Sequence, residues 1–369
     1  MSEMVNVEQL LAAMKTLGAS DLHLKAGMPP VYRVGGHLRS ASSMPPMTGA
    51  AIERCIAPII PSGRREFYEE HGDLDFSTSL PDGERFRVNI FRAGTEMNAA
   101  VRRVNPFIPS YEELNLPPIY GQLIEQSFEG IIIISGVTGS GKSTTLAAMI
   151  EQINSTRKEN IVTIEDPIEF IFKPKKSIIS QREIGIDIPD YGEGLKYIVR
   201  QDPDVIFVGE MRDKFTMGAA LQAAETGHLV FGTLHTADAM QAFARILEFF
   251  PREEHEFIRS SLSNTLQGIC AQRLLPGTEK GMRIPATEVL LNTPTCKELI
   301  RKEQDQDIPA LIESNEKEGM HSFTAALAEL VKNEKVFMDV AMEFAPNRDA
   351  LASRIRGIKT TSQSLVQRK

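Results

Sequence analysis

Residues Gly136, Val137, Thr138, Gly139, Ser140, Gly141, Lys142, Ser143 and Thr144 fit the pattern GxxxxGK[ST]. Glycines at these places let successive backbone N–H groups converge on one concavity, which suits phosphate oxygens. A helix starting at Lys142 adds the positive end of its dipole. Lys142 is then placed to reach the β- and γ-phosphates as a point charge. Ser143 is placed to hold Mg²⁺ through its hydroxyl, so the expected ligand is ATP with Mg²⁺. Chance produces this pattern in a chain of this length with odds on the order of one in a hundred. Here it also follows an apolar run, "GIIIIS", and opens an amphipathic one.

Three further polar residues stand directly after apolar runs. Glu165 follows "IVTI", Glu210 follows "VIFV" and Gly209, and His235 follows "LVFGTL". Ligands of open parallel sheets bind beyond the carboxyl ends of the strands. If these runs are neighbouring parallel strands, all three residues share a rim with the phosphate cradle. Glu210 is then expected to orient the water that attacks the γ-phosphate. Its competing role is that of an acid held at a helix N-terminus by the dipole. Gly209 is expected to leave room for the cradle backbone. Among Glu165, Asp166 and Glu169, Glu165 is favoured because it is nearest the strand end; binding Mg²⁺ through water is one task for this group. His235 could sense the γ-phosphate or couple one subunit's site to another. His228 begins its strand, and its position points to the opposite rim.

The elements that must carry these residues are written in the chain's texture. From residue 119, apolar strands alternate with amphipathic helices as far as "AMQAFARILEFF". That alternation predicts α/β architecture with a parallel central sheet covered on both faces. From about residue 290 only helical patterns remain, such as "SFTAALAELVKN" with Ser322 as cap. Before residue 105 the pattern differs. Val7, Leu10, Leu11, Met14 and Leu17 share a helical face that Gly18 ends. Period-two runs then flank Gly35-Gly36 and the turn "PDGE", which reads as hairpins in a small α+β domain. Four prolines within 105–118 predict an inter-domain linker acting as a stiff pivot.

Composition narrows the function classes. The chain has 369 residues, 42% hydrophobic and 24% charged, which is ordinary for a globular protein of two or more domains. With 49 acids against 41 bases the net charge is −8, which argues against a dedicated nucleic-acid binder. Cys55, Cys270 and Cys296 form no CxxC pair and build neither a disulfide framework nor a four-cysteine zinc site, which points to the reducing cytosol. "IIII" is too short to span a bilayer, and the N-terminus lacks a basic n-region, so any membrane contact is expected to be peripheral. Arg354, Arg356, Lys359, Arg368 and Lys369 make the C-terminal segment basic; it reads as a solvated tail, with an anionic membrane face or a platform protein as the alternative contact.

Together the motifs resemble the type IV pilus retraction ATPases of the type II/IV secretion ATPase superfamily. The resemblance rests on "GASDLHL", "GVTGSGKSTTLAAMI", "TIEDPIEF", "RQDPDVIFVGEMRD" and "TGHLVFGTLHTADA", and covers nearly the whole chain. It implies a PAS-like N-terminal domain over 1–104, the linker over 105–118, a RecA-like ATPase core over 119–290 and C-terminal helices over 291–369. It also implies a homo-hexameric ring in the bacterial cytoplasm, peripheral to the inner membrane. Such a ring docks on a pilus platform protein, can work beside a paralogous retraction ATPase, and drives pilin removal in twitching motility. Glu165 then falls in an acidic box, Glu210 in an atypical Walker B motif, and His228 and His235 in a histidine box. The resemblance further implies that arginines of the N-terminal domain approach the phosphates, and Arg87, Arg92, Arg102 and Arg103 match. One segment departs. Where retraction ATPases carry an "AIRNLIRE"-like stretch, this chain reads "TCKELIRKE", keeping Leu299, Ile300 and Arg301. That opens the reading of an accessory paralogue.

Three other readings compete. An assembly ATPase of the same superfamily usually carries an extra N-terminal domain and a four-cysteine motif, and this sequence shows neither. A RecA-type nucleic-acid translocase fits poorly with the acidic balance and with 7% aromatics and no Trp. A nucleotide-gated scaffold would bind ATP and scarcely turn it over.

Overall fold

The computed structural model describes residues 6–104, 107–279 and 281–357. Residues 105 and 106 of the expected linker, and Lys359, Arg368 and Lys369 of the basic tail, lie outside the described residues. The chain divides into two compact units. One runs to Phe107 and includes Glu169–Ile171; the other comprises Ile108–Ile168 and the chain from Phe172 onward.

The first unit opens with α1 (Val7–Leu17), capped by the Asn6 side chain and closed by left-handed Gly18 at φ 62°. Strands β1 (Ala19–Leu24), β2 (Val31–Val34) and β3 (His37–Ser40) follow, then helices α2 (Gly49–Ile56) and α3 (Arg65–His71). Strands β4 (Asp73–Ser79), β5 (Arg85–Ala93) and β6 (Glu96–Arg103) complete it. All pairings in the sheet β3-β2-β1-β6-β5-β4 are antiparallel. Phe86, Val88 and Ile90 of β5 face a core shared with Leu10, Leu11 and Met14 of α1.

The second unit continues with α4 (Ile119–Gln126), β7 (Gly130–Ser135), α5 (Lys142–Thr156), β8 (Asn160–Glu165) and β9 (Ile178–Glu183). Next come α6 (Tyr191–Ile198), β10 (Val205–Val208), α7 (Lys214–Glu225), β11 (Leu229–Leu234), α8 (Ala239–Glu248) and α9 (His255–Thr265). Two long strands, β12 (Leu266–Pro276) and β13 (Arg283–Leu291), lead to α10 (Pro294–Arg301), α11 (Ile308–Ser314), α12 (Phe323–Lys332), α13 (Met338–Phe344) and α14 (Arg348–Ile355). Ile131 to Ile134 are fully buried. Each such side chain contributes about 1.5–3 kcal/mol relative to exposure, and β-branching favours the strand.

The sheet order is β13-β12-β7-β11-β10-β8-β9. Every pairing is parallel except β12 with β13, so the sheet is mixed rather than wholly parallel. The reason is connection length. Only six residues join Pro276 to Arg283, which suffices for a hairpin and not for a crossover. Residues 108–118 cluster with the second unit, and Leu116 is buried there. No described helix is long and apolar enough to cross a membrane.

Candidate active site

Parallel registry decides what meets what. Leu234 pairs with Ser135, Val208 with Gly232, and Val208 with Ile164. The carboxyl ends of β7, β8, β10 and β11 therefore form one rim, carrying Gly136, Glu165, Glu210 and His235. His228 precedes β11 at the other end, where Leu229 pairs with Gly130. There its Nδ1 lies 2.9 Å from the Ala223 carbonyl at the end of α7. Within the chain the structure thus separates His228 from the other three, as its place in the sequence indicates.

The loop between β7 and α5 has a cradle's geometry. Gly136, Gly139 and Gly141 hold φ values of 153°, 78° and 90°. A Cβ on Gly136 would stand 2.4 Å from Ser140 Oγ, and no side chain caps the N-terminus of α5. The first-turn N–H groups thus face the loop's concavity, as phosphate binding requires. Lys142 donates to the Gly136 carbonyl at 2.6 Å and to the Val137 carbonyl at 3.1 Å. Two buried hydroxyls, Ser140 Oγ in the loop and Thr236 Oγ1 beside His235, have no hydrogen-bond partner among the described residues. These orphaned donors fit an anionic ligand. Val137, Thr138 and Gly139 form the exposed crest, and Ser143 and Thr144 are half-buried in the first turn of α5.

Glu210 is held from both sides. Gly209 N–H donates to the Ile164 carbonyl of β8 at 2.8 Å. Thr233 of β11 donates its hydroxyl to the Gly209 carbonyl at 2.6 Å and accepts Met211 N–H at its own carbonyl at 3.0 Å. The carboxylate is thereby aimed along the rim. Arg212 Nη2 lies 2.5 Å from Oε2, and His235 Nε2 lies 3.4 Å from Oε1. Burial alone would raise the Glu210 pKa; the Arg212 hydrogen bond, with the charges of His235, Arg212 and Lys142, outweighs it and holds the carboxyl below its ordinary value. Burial, then the Lys142 charge, lowers the His235 pKa against the pull of Glu210. At neutral pH the pair is therefore a carboxylate facing a neutral imidazole.

Gly209 has a different reason from the expected one. A Cβ there would meet Tyr191 Oη at 2.9 Å and the Ile164 carbonyl at 3.1 Å. The close approach is made by the end of β8 and by α6, not by the cradle backbone.

Glu165 is buried at the end of β8. Its Oε1 accepts from Thr163 Oγ1 at 2.7 Å and from Gln181 Nε2 at 3.0 Å. Glu169 falls in the first unit.

All four candidate arginines also lie in the first unit, and each is engaged there. Arg87 sits 3.8 Å from Asp75, and Arg102 donates to Asp21 at 2.9 Å. Arg103 donates to Glu84 at 2.7 Å. Arg92 donates to the Glu69 carbonyl at 2.8 Å and lies over the Tyr68 ring.

Sequence reasoning gave no site role to Arg212, Tyr191 or Gln272. Arg212 was within reach of it, because "GEMRD" sets a base two residues beyond Glu210. Gln272 has a weaker signal: an isolated amide in the run "GICAQRLL". Its Nε2 donates to the Ser140 carbonyl and its Oε1 accepts from Thr145 Oγ1, both at 2.8 Å.

This arrangement is shared with known proteins. The family model described as "Type II/IV secretion system protein" matches residues 80–304. The chain is 39% identical to the type IV pilus retraction ATPase PilT of Pseudomonas aeruginosa, over 92% of this chain and 98% of that protein. It is 38% identical to the type IV pilus ATPase PilU of the same organism, over 95% of this chain and 91% of that one. A crystal structure of the pilus retraction motor PilT with bound ADP superposes with a TM-score of 0.87 at 40% identity, covering 94% of this chain and 98% of that one. With a phosphate cradle, a carboxylate rim and these relatives, the chain belongs to the type II/IV secretion system protein family and is a nucleotide-binding ATPase of the PilT/PilU kind.

Proposed function

We propose that this chain is the subunit of a homo-hexameric motor that hydrolyses ATP to retract type IV pili. In this reading the ring works in the cytoplasm against an inner-membrane platform protein and takes no nucleic acid. The observation that carries the proposal is the pairing of Glu210 with the loop at 136–144 on one rim, in a chain whose relatives are named as retraction and pilus ATPases. The loop binds the phosphates through its N–H groups and Lys142. Glu210, ionised and flanked by neutral His235, takes and orients the attacking water's proton. Ser143 and the buried carboxylate of Glu165 offer the hard oxygen donors that suit Mg²⁺, which when bound neutralises charge developing on the phosphates. Domain closure on nucleotide, repeated around the ring, becomes mechanical work.

One observation favours the second reading, an accessory paralogue. In the stretch "TCKELIRKE", the three residues kept from the retraction pattern serve the fold. Ile300 is fully buried, Leu299 packs on the core, and Arg301 donates to Ser263 Oγ and Asn264 Oδ1 at 2.9 and 2.6 Å. The departures fall at exposed Thr295, Glu298 and Lys302, at half-buried Lys297 and at fully buried Cys296.

Deletion of the gene, scoring surface fibres and twitching, tests the proposal. Excess immobile fibres are expected. Bald cells would point to assembly instead, and unchanged twitching to an accessory role.

A further inference from the structure

We propose that Gln272 is a positioning residue for the phosphate-binding loop, setting through its carboxamide the loop's shape and hence its affinity for nucleotide phosphates. The inference rests on nucleotide binding by this chain and is independent of pilus retraction.

The first ground is where β12 runs. It pairs with β7 as far as Ala271 opposite Ser135. Residues 272–276 continue past the end of β7, paired with β13 alone on the other side. The loop at 136–141 occupies the free side. A Cβ on Gly136 would stand 2.5 Å from the Gln272 carbonyl, and one on Gly141 would stand 2.7 Å from Gln272 Nε2. The first and sixth positions of the motif must therefore be glycine for Gln272 as well as for phosphate. Gly139, by contrast, has no described residue beyond its chain neighbours within 4 Å of its Cβ position.

The second ground is hydrogen-bond chemistry. A carbonyl only accepts, so the amide's NH₂ must face Ser140, which leaves Oε1 to accept the Thr145 hydroxyl. The two bonds straddle Lys142, tying the loop before it to the helix after it. Gln272 is 3% exposed, so removing the amide leaves buried polar atoms unmet.

The third ground is what holds Gln272 itself. Side chains alternate along a strand. Arg273 points the other way, donating to the Phe344 carbonyl at 2.8 Å with its guanidinium 4.2 Å from the Phe323 ring centre. The strand that presses on the loop is thus anchored in α12 and α13.

The test is nucleotide titration of Gln272→Met and Gln272→Glu beside the wild type, with phosphate release at saturating ATP. The Met variant keeps length and bulk but loses both bonds. Its Kd for ADP is expected to rise about tenfold or more, with kcat within about threefold of wild type. The Glu variant keeps the acceptor toward Thr145 but must be protonated to face the Ser140 carbonyl. Its affinity is expected to be poor at pH about 8 and to recover at pH about 5.5. Wild type at both pH values corrects for Lys142, Glu210, His235 and Glu288, the other titratable groups in this part of the unit. Wild-type affinity in the Met variant, or a Glu variant whose affinity ignores pH, overturns the proposal. Should the Met variant not fold, the Glu variant at two pH values decides alone. A wild type that binds no nucleotide would instead strike the assignment on which the proposal stands.

Discussion

Arg212 and Glu210 lie two residues apart and face each other, with Nη2 2.5 Å from Oε2. The guanidinium is largely exposed while the carboxylate is mostly covered. The covered partner is therefore the one whose ionisation depends on the pair.

That dependence sets the sign of a pH effect. Burial pushes the Glu210 pKa up, and Arg212 is foremost among the groups that bring it below its ordinary value of 4.5. A carboxyl with a depressed pKa stays ionised as pH falls, until the folded value is reached. Its contribution to stability is likewise present above the unfolded pKa and lost through that lower one. Wild-type hydrolysis should hold its rate down to pH about 5. In Arg212→Gln the raising effect of burial is left less opposed, and the acid limb of kcat/KM should move to higher pH. A limb that stays in place would show that Arg212 does not govern this carboxylate.

Gly209→Ala should destabilise the second unit by about 1–3 kcal/mol, because its Cβ collides with Tyr191 Oη and the Ile164 carbonyl. Tyr191→Phe removes the closer of these two contacts. The double variant should therefore recover part of the loss in a thermal melt, while Tyr191→Phe alone has little effect on the melt. Strict additivity of the two changes would contradict the packing explanation.

If one of Arg87, Arg92, Arg102 or Arg103 acts on ATP in a neighbouring subunit, substituting it should cost about 10³ to 10⁵ in rate. Rings mixed from such a variant and Glu210→Gln should then regain part of the activity that neither has alone. Absence of recovery in mixed rings would count against all four as fingers in trans.

The parts of the site read from sequence are those in which function is contiguous. The cradle needs its glycines, lysine and serine within nine residues, so one motif discloses it. Glu165, Glu210 and His235 were legible because each follows a run of buried, mostly apolar residues, and parallel pairing brings such ends together. What stayed hidden depends on partners distant in the chain. Gln272 lies 132 residues from Ser140 and 127 from Thr145. Gln181, which holds Glu165, lies on β9, a polar edge strand reading "IISQRE" that lacks the apolar run of its neighbours. Gly209 was legible as a close approach, but the approaching group was not, because Tyr191 belongs to another helix. The antiparallel β12–β13 hairpin was obscured by strands of eleven and nine residues whose alternation Pro276 and Pro285 interrupt.

The most direct test of the account pairs equilibrium binding of a fluorescent ATP analogue with steady-state phosphate release in wild type, Lys142→Ala and Glu210→Gln. Lys142→Ala should lose binding. Glu210→Gln should bind as wild type does and lose about 10² to 10⁴ in kcat. Hydrolysis by Glu210→Gln at the wild-type rate, or tight binding by Lys142→Ala, would contradict the central claim that the loop holds the nucleotide and Glu210 directs the water.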